Sequence, residues 1–239
     1  FAGWIDGQSG FTSVVQVLDD EAGPAPRDRV DEIEDQLRHD IRTAGVPAFA
    51  RCVDTYPTES VLPVLLGMHG LGVIRANTVL VNRLEENDDG VDASRQRAFA
   101  RQLHIALRVG CNLVVLDATP EEIHALDAAP LDQRRIDVWT EGDATGRLCL
   151  MLAYLTTRTD DWKDATIRLI AAHHGPARAR ERLQERMRAM LDEVRIHAEV
   201  TIVDDEPIAS VSREASLVFL PLRLRGDRAV GPKGRPFAE

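Results

Sequence analysis

Thr12-Ser13-Val14-Val15-Gln16-Val17-Leu18, then Arg27 to Ala44, then Ala48-Phe49-Ala50-Arg51-Cys52-Val53 are the stretches whose reading decides the fold. The first is short, β-branched and closed by Asp19-Asp20, the pattern of a strand buried on both faces. In the second, Val30, Ile33, Leu37, Ile41 and Ala44 recur every three or four positions while Asp31, Glu34, Asp35 and Arg38 take the other side, which predicts an amphipathic helix. Gly45 stops that helix, Pro47 prevents its continuation, and Ala48 to Val53 reads as a second strand. The unit is β-α-β.

The alternation continues outward from it. Helices are expected near Glu59–Gly67 and over Ala93–Val109, with strands at Thr78–Val81 and Leu113–Leu116. Ala118 to Arg134, with Pro120, Pro130 and several acids, reads as a connector carrying a short helix at Pro120–Leu126. The pattern then restarts with strands at Ile136–Trp139, Thr166–Ala171, Ala198–Val203 and Leu217–Leu220, and helices at Gly146–Thr156 and Ala177–Val194. Such alternation predicts an α/β fold of two doubly wound, mostly parallel-sheet lobes. The expected boundaries are a first lobe at 1–118, a connector at 119–134 and a second lobe at 135–239 that ends early. The same order of elements in both halves is a soft internal duplication.

Composition narrows the function. The 239 residues carry 29 Lys plus Arg against 39 Asp plus Glu, a formal charge of −10, which argues against nucleic acid as the main partner. The longest nearly unbroken apolar stretch, Leu148 to Leu155, is far short of the roughly 20 residues that cross a bilayer, so no direct membrane insertion is expected. Phe1 is not a natural start, and the chain is expected to have been cut from something longer. Cys52, Cys111 and Cys149 lie far apart without a C-x-x-C pair, the usage of reduced, mostly buried thiols rather than of a disulfide framework or zinc cluster.

In open α/β sheets ligands sit at the carboxyl ends of strands, which selects Asp19, Asp20, Asp117, Asp143, His173, His174, Asp204 and Asp205. Acids there suit a ribose or a metal, yet Asp also terminates strands and caps the next helix, and the second role is the commoner one. His173-His174 reads as a solvent-exposed loop pair, because no third ligand stands at metal-binding spacing, and His104 as a partly buried packing residue. No G-x-S-x-G and no activated Cys occur. Gly67, Gly70 and Gly72 follow a helix and precede a strand, the reverse of a dinucleotide fingerprint. Arg223, Arg225, Gly226 and Arg228 read as a solvated basic tail, with anion binding as the alternative.

Gly70-Leu71-Gly72-Val73-Ile74-Arg75-Ala76-Asn77-Thr78-Val79 resembles the G-L-G-x-x-x-x-N-T-V signature of the cytosolic C-terminal domain of cation-chloride cotransporters. Ile136-Asp137-Val138-Trp139, the leucine-rich segment Leu148 to Leu155, Trp162 and Ile167-Arg168-Leu169 resemble the same family's second block, and Gly10 to Val17 is similar to the first strand of its prokaryotic members. The chain departs from the family at Asn82-Arg83-Leu84, where Gly-Trp-Pro is frequent, and at Thr140, where a second Trp is. The resemblance implies two lobes, each universal stress protein-like, on the cytoplasmic face of the cell membrane below a transporter of the amino acid permease superfamily. It also implies a homodimer and contact with the membrane domain of the same chain.

Gly70, Gly72, Asn77, Thr78, Asp137, Trp139 and Trp162 are the motif residues, and each has a structural reading: tight turns, strand-entry hydrogen bonds and packing area. The expected function is therefore a non-enzymatic regulatory and dimerisation domain without a cofactor or metal. The alternative is an adenine-nucleotide sensor that binds ATP or AMP as some universal stress proteins do, with Asp19 or Asp143 at the ribose or base. Against it stands the lack, in either lobe, of the G-x-x-G spacing followed by Gly and Ser or Thr. A hydrolase or nucleotidyltransferase on the same scaffold is the third reading, weakened by the lack of a nucleophile, base or metal constellation.

Overall fold

The computed structural model describes residues 1–7, 10–18, 25–54, 70–71, 74–83, 93–173, 175–204, 206–225 and 228–231. Asp19, Asp20, Gly72, His174, Asp205, Gly226 and the helix expected at 59–67 lie outside the described residues.

The opening β-α-β unit forms as read. Strand β1 (Thr12–Leu18) pairs in parallel with β2 (Ala48–Asp54), and helix α2 (Arg27–Thr43) connects them; a four-residue helix α1 (Ala2–Ile5) precedes β1. Gly45 takes φ 67, the left-handed conformation that ends α2 without a Cβ penalty. A short antiparallel pair follows, β3 (Gly70–Leu71) with β4 (Ile74–Arg75). Strand β5 (Thr78–Asn82) then pairs in parallel with β6 (Asn112–Leu116), α3 (Ala93–Arg108) lying between them in sequence. Among the described residues this half holds two separate two-stranded parallel sheets rather than one continuous sheet. Helix α4 (Pro120–Ala128) occupies the expected connector and runs two residues past the predicted end. Its start is a reciprocal capping box, in which Thr119 Oγ1 accepts from Glu122 N–H while Glu122 accepts from Thr119 N–H.

The second half is a continuous four-stranded parallel sheet in the order β10 (Leu217–Phe219), β7 (Arg135–Trp139), β8 (Thr166–Ala172), β9 (Glu199–Val203). Counted within this half and read from the β9 edge the order is 3-2-1-4, that of a doubly wound fold, with the reversal between β7 and β10. Alternation along each strand divides the core. Ile136 and Val138 of β7, with Ile167, Leu169 and Ala171 of β8, face α5 (Ala144–Thr156) and α6 (Ala177–Val194), where Cys149, Leu150, Ala153, Met187 and Met190 complete the main core. Trp139, Ile170 and Val203 point to the opposite face. There they meet Ile208 and Val211 of α7, the single helical turn Ile208–Val211.

The chain closes with an antiparallel hairpin, β11 (Arg223–Arg225) with β12 (Arg228–Val230). The basic segment expected to be a solvated tail is thus a paired β element. Helix α1 packs against α5, and Trp4 stands edge-on to Trp162 with centroids 5.3 Å apart.

Candidate functional site

The carboxyl end of β7 is where the strand order reverses, and here the chain runs Trp139-Thr140-Glu141-Gly142-Asp143 into α5. Gly142 sits at φ 77 and its N–H donates to Thr140 Oγ1 at 2.9 Å, which closes a tight turn. Asp143 is the N-cap of α5 and accepts the Gly146 N–H at 2.9 Å. From across the crevice Arg223, the first residue of β11, donates to Glu141 Oε2 at 2.5 Å and to Asp143 Oδ2 at 3.0 Å. Burial acts to raise the Asp143 pKa, but the Gly146 N–H and the Arg223 guanidinium outweigh it and hold the carboxyl below its ordinary range. Both acids are therefore engaged by the protein's own groups, one of them as the helix cap that strand-end aspartates commonly provide.

The other strand-end candidates do not converge on this point. Asp117 pairs with Arg83 at 3.2 Å, and Asp204 pairs with Arg180 at 3.1 Å. His173 departs from the exposed loop position expected of it: it is 7% exposed, its N–H donates to Val203 O and its Nε2 lies 3.0 Å from Gly175 O. The reason is that β8 continues one residue further alongside β9, which carries His173 into the packed layer. Among the described residues no group of three or more His, Cys, Asp or Glu is placed to hold a metal, and no helix is long and apolar enough to cross a membrane.

Two of the motif residues, Asp137 and Trp139, come together with Arg168 on the face of the sheet that α7 covers. Asp137 is fully buried and is the register partner of Arg168, which donates to it twice, Nε to Oδ1 at 3.0 Å and Nη2 to Oδ2 at 2.6 Å. The same Nη2 also donates to Val211 O at 2.8 Å. Two residues along β7, Trp139 is 3% exposed and its Nε1–H donates to Ser212 Oγ at 3.0 Å. Asp137, Trp139 and Arg168 thus pin α7 and the turn after it onto the sheet. The hydrogen bond to Asp137, with further support from its charge, raises the Arg168 pKa against the opposing effect of burial.

Trp162 is buried completely between the Trp4 ring and the Arg134 guanidinium, which lies 5.1 Å from its centroid. Arg134 in turn donates to Asp161 O, Leu126 O and Ala129 O, which ties the end of α4 to the loop before β8. In the first half, Asn77 O accepts from Asn112 N–H at 2.7 Å, and Asn77 Oδ1 accepts the Thr78 hydroxyl at 2.9 Å, so this pair forms the entry of β5. Gly70 pairs with Arg75 in the β3–β4 ladder. The three cysteines are free and buried. Burial raises each thiol, that of Cys149 to about 12.

The sequence reading missed several contributors. Arg168 stands in the quoted motif, but its partner Asp137 is set by the β7–β8 register, which spacing alone does not give. Ser212 and Arg134 carry no motif. Arg223 lies 80 positions from Asp143 in sequence.

No protein-family model matches the chain, and no curated protein does. Among solved structures the chain is similar to the crystal structure of the cytoplasmic domain of a prokaryotic cation chloride cotransporter. The match covers 83% of this chain and 69% of that one at a TM-score of 0.53 and 16% identity. At that identity the likeness is one of fold, and it extends over both halves of an α/β chain with parallel sheets.

Proposed function

We propose that the chain is a non-catalytic regulatory and dimerisation domain of a cation-chloride cotransporter-like secondary transporter, two universal stress protein-like lobes lying on the cytoplasmic face of the membrane. Its partners in this reading are a second copy and the membrane domain of the same chain. The observation that carries the reading is the fold likeness to the cytoplasmic domain of a prokaryotic cation chloride cotransporter, which spans 83% of the chain. The placement of the motif residues supports it. The acid and the arginine that most resemble reactive groups, Asp137 and Arg168, are spent on each other and on docking α7. The two-stranded sheet β1–β2 supports a contact role as well, since Phe11 and Phe49 are 67% and 58% exposed on or beside it. Such a domain acts by biasing two arrangements of what it is attached to, through contacts that differ between them.

A second reading, an ATP or AMP sensor, is favoured by one observation: Asp143 stands at the reversal of strand order, where doubly wound folds take ligands. Thermal unfolding with and without millimolar ATP, ADP and AMP, run beside a nucleotide turnover assay, separates the two. The contact reading expects no shift and no turnover. A clear rise in melting temperature that Asp143→Ala abolishes would overturn it in favour of the sensor, since a ligand that binds only the folded state must stabilise it.

A further inference from the structure

At the end of the second sheet opposite the Asp143 crevice, a cleft of about 430 Å³ is lined by Arg135, Arg168, Ser210, Val211, Arg213 and Glu214. Arg135 opens β7, Arg168 is the third residue of β8, and the other four belong to α7 and the turn that follows it. Three guanidinium groups meet here with Asp137 buried beneath the floor and Glu214 at the rim, while Glu199, the register partner of Arg168 on β9, also acts on Arg168.

The arginines are not equivalent. Arg168 is held rigid by its two bonds to Asp137 and its bond to Val211 O. Arg135 reaches Glu214 only at 3.5 Å, and its Nε is shielded from solvent with no hydrogen-bond partner, although Asp137 Oδ1 is 3.5 Å away. Arg213 is exposed and has no hydrogen-bond or ion-pair partner among the described residues. The Ser210 side chain offers a further hydroxyl donor at the rim.

We propose that this cleft binds a phosphate group, free or carried on a small molecule, with Arg168 and Arg135 forming its fixed wall and Arg213 closing over it. Arg168 keeps only Nη1 for a ligand, since Nε and Nη2 are bound to Asp137 and Val211 O, so the cleft offers the outer nitrogens of Arg168 and Arg135 and the whole fork of Arg213, an arrangement that suits the several oxygens of a tetrahedral dianion. The lining also sets the class of carrier. Among the described residues Val211 is its lone apolar side chain and no aromatic ring lines it, so it recognises the phosphate rather than a base or a long apolar chain. Arg213 is the guanidinium without a partner among the described residues, and Glu214 competes for Arg135 whenever the cleft is empty.

The test is a titration of the whole chain with inorganic phosphate and with glycerol phosphate at constant ionic strength. Heat of binding and amide chemical shifts are the readouts, and sodium chloride is the control. Saturable binding in the millimolar range is expected, with shifts concentrated at the start of β7 and from Ser210 to Glu214. Arg213→Ala should weaken it about tenfold while leaving the melting temperature of the empty protein unchanged, because Arg213 makes no internal bond among the described residues, and Glu214→Gln should strengthen it. Tighter binding of glycerol phosphate assigns the site to a carried phosphate, and tighter binding of inorganic phosphate to the free anion. No saturable response, or a response that Arg213→Ala leaves intact, would overturn the proposal. Self-association and the lack of nucleotide turnover are read separately and stand or fall without it.

Discussion

Replacing Arg168 by Met removes both hydrogen bonds to a carboxylate that has no access to solvent, and the cost follows from the geometry of that pair. Breaking a buried ion pair from one side costs about 3–5 kcal/mol, because the remaining charge keeps its desolvation penalty without its compensation. Asp137 is 0% exposed and the Arg168 side chain 17%, so solvent screening relieves little of this. Arg135 Nε lies 3.5 Å from Asp137 Oδ1 and retains part of the attraction, which places the expected loss near the lower end, about 3 kcal/mol. In a chain of this length each kcal/mol moves the melting temperature by about 2–4 °C, so Arg168→Met should melt about 6–12 °C lower. The assay is urea unfolding followed by tryptophan fluorescence, in which Trp139 reports on the affected turn through its bond to Ser212. The double variant Asp137→Leu with Arg168→Met removes both charges and fills similar volume, and it should recover to within about 1 kcal/mol of the parent. A single variant that costs less than about 1 kcal/mol, or a double variant worse than the sum of the singles, would refute the claim that the pair is a buried and mutually dependent structural unit.

Other consequences are as direct. Trp162→Ala should cost about 3–5 kcal/mol, since it empties a fully buried site between Trp4 and Arg134; denaturant unfolding of the purified variant measures it, and a loss under about 1 kcal/mol would contradict the packing. Gly146→Ala should destabilise by about 1–3 kcal/mol, because a Cβ there would run into the Thr140 side chain, and calorimetry reads the difference. With its thiol pushed from 9.0 to about 12, Cys149 should hold roughly a thousandfold less thiolate than an ordinary cysteine, so native protein should resist alkylation there while urea-unfolded protein reacts at all three cysteines. The depressed pKa of Asp143 contributes stability that is complete above the ordinary aspartate pKa and is lost as pH falls through its lower folded value. Asp143→Asn should therefore flatten the acid limb of the stability curve and leave its slope above neutral pH unchanged; an unaltered acid limb would remove Asp143 from the account.

How much of this was legible depended on whether the determinant was local. Ile136-Asp137-Val138-Trp139 announces a strand with two different faces, and the structure sends Ile136 and Val138 to one core and Trp139 to the other. Gly45 and Pro47 mark the end of α2 for reasons that act within a few residues. Thr119 and Glu122 mark the start of α4 in the same way, although its signal was read only as a short helix in a connector. What stayed hidden depends on distant parts of the chain. His173 is buried because β9 lies beside it, and Arg223, still exposed, is engaged because Glu141 and Asp143 stand across from it. The hairpin Arg223–Arg225 with Arg228–Val230 was obscured by its charge, since alternating arginines resemble a solvated tail until a paired strand and α3 give β12 and its buried Val230 something to pack on. The separation of β1–β2 from β5–β6 is likewise a matter of pairing, which periodicity does not encode.

The central claim, that this chain works through protein contacts rather than chemistry, is tested most directly by sedimentation of the purified chain from micromolar to millimolar concentration. The account predicts a concentration-dependent dimer that Phe11→Asp together with Phe49→Asp weakens without lowering the melting temperature. A chain that sediments as a monomer over the whole range would contradict it.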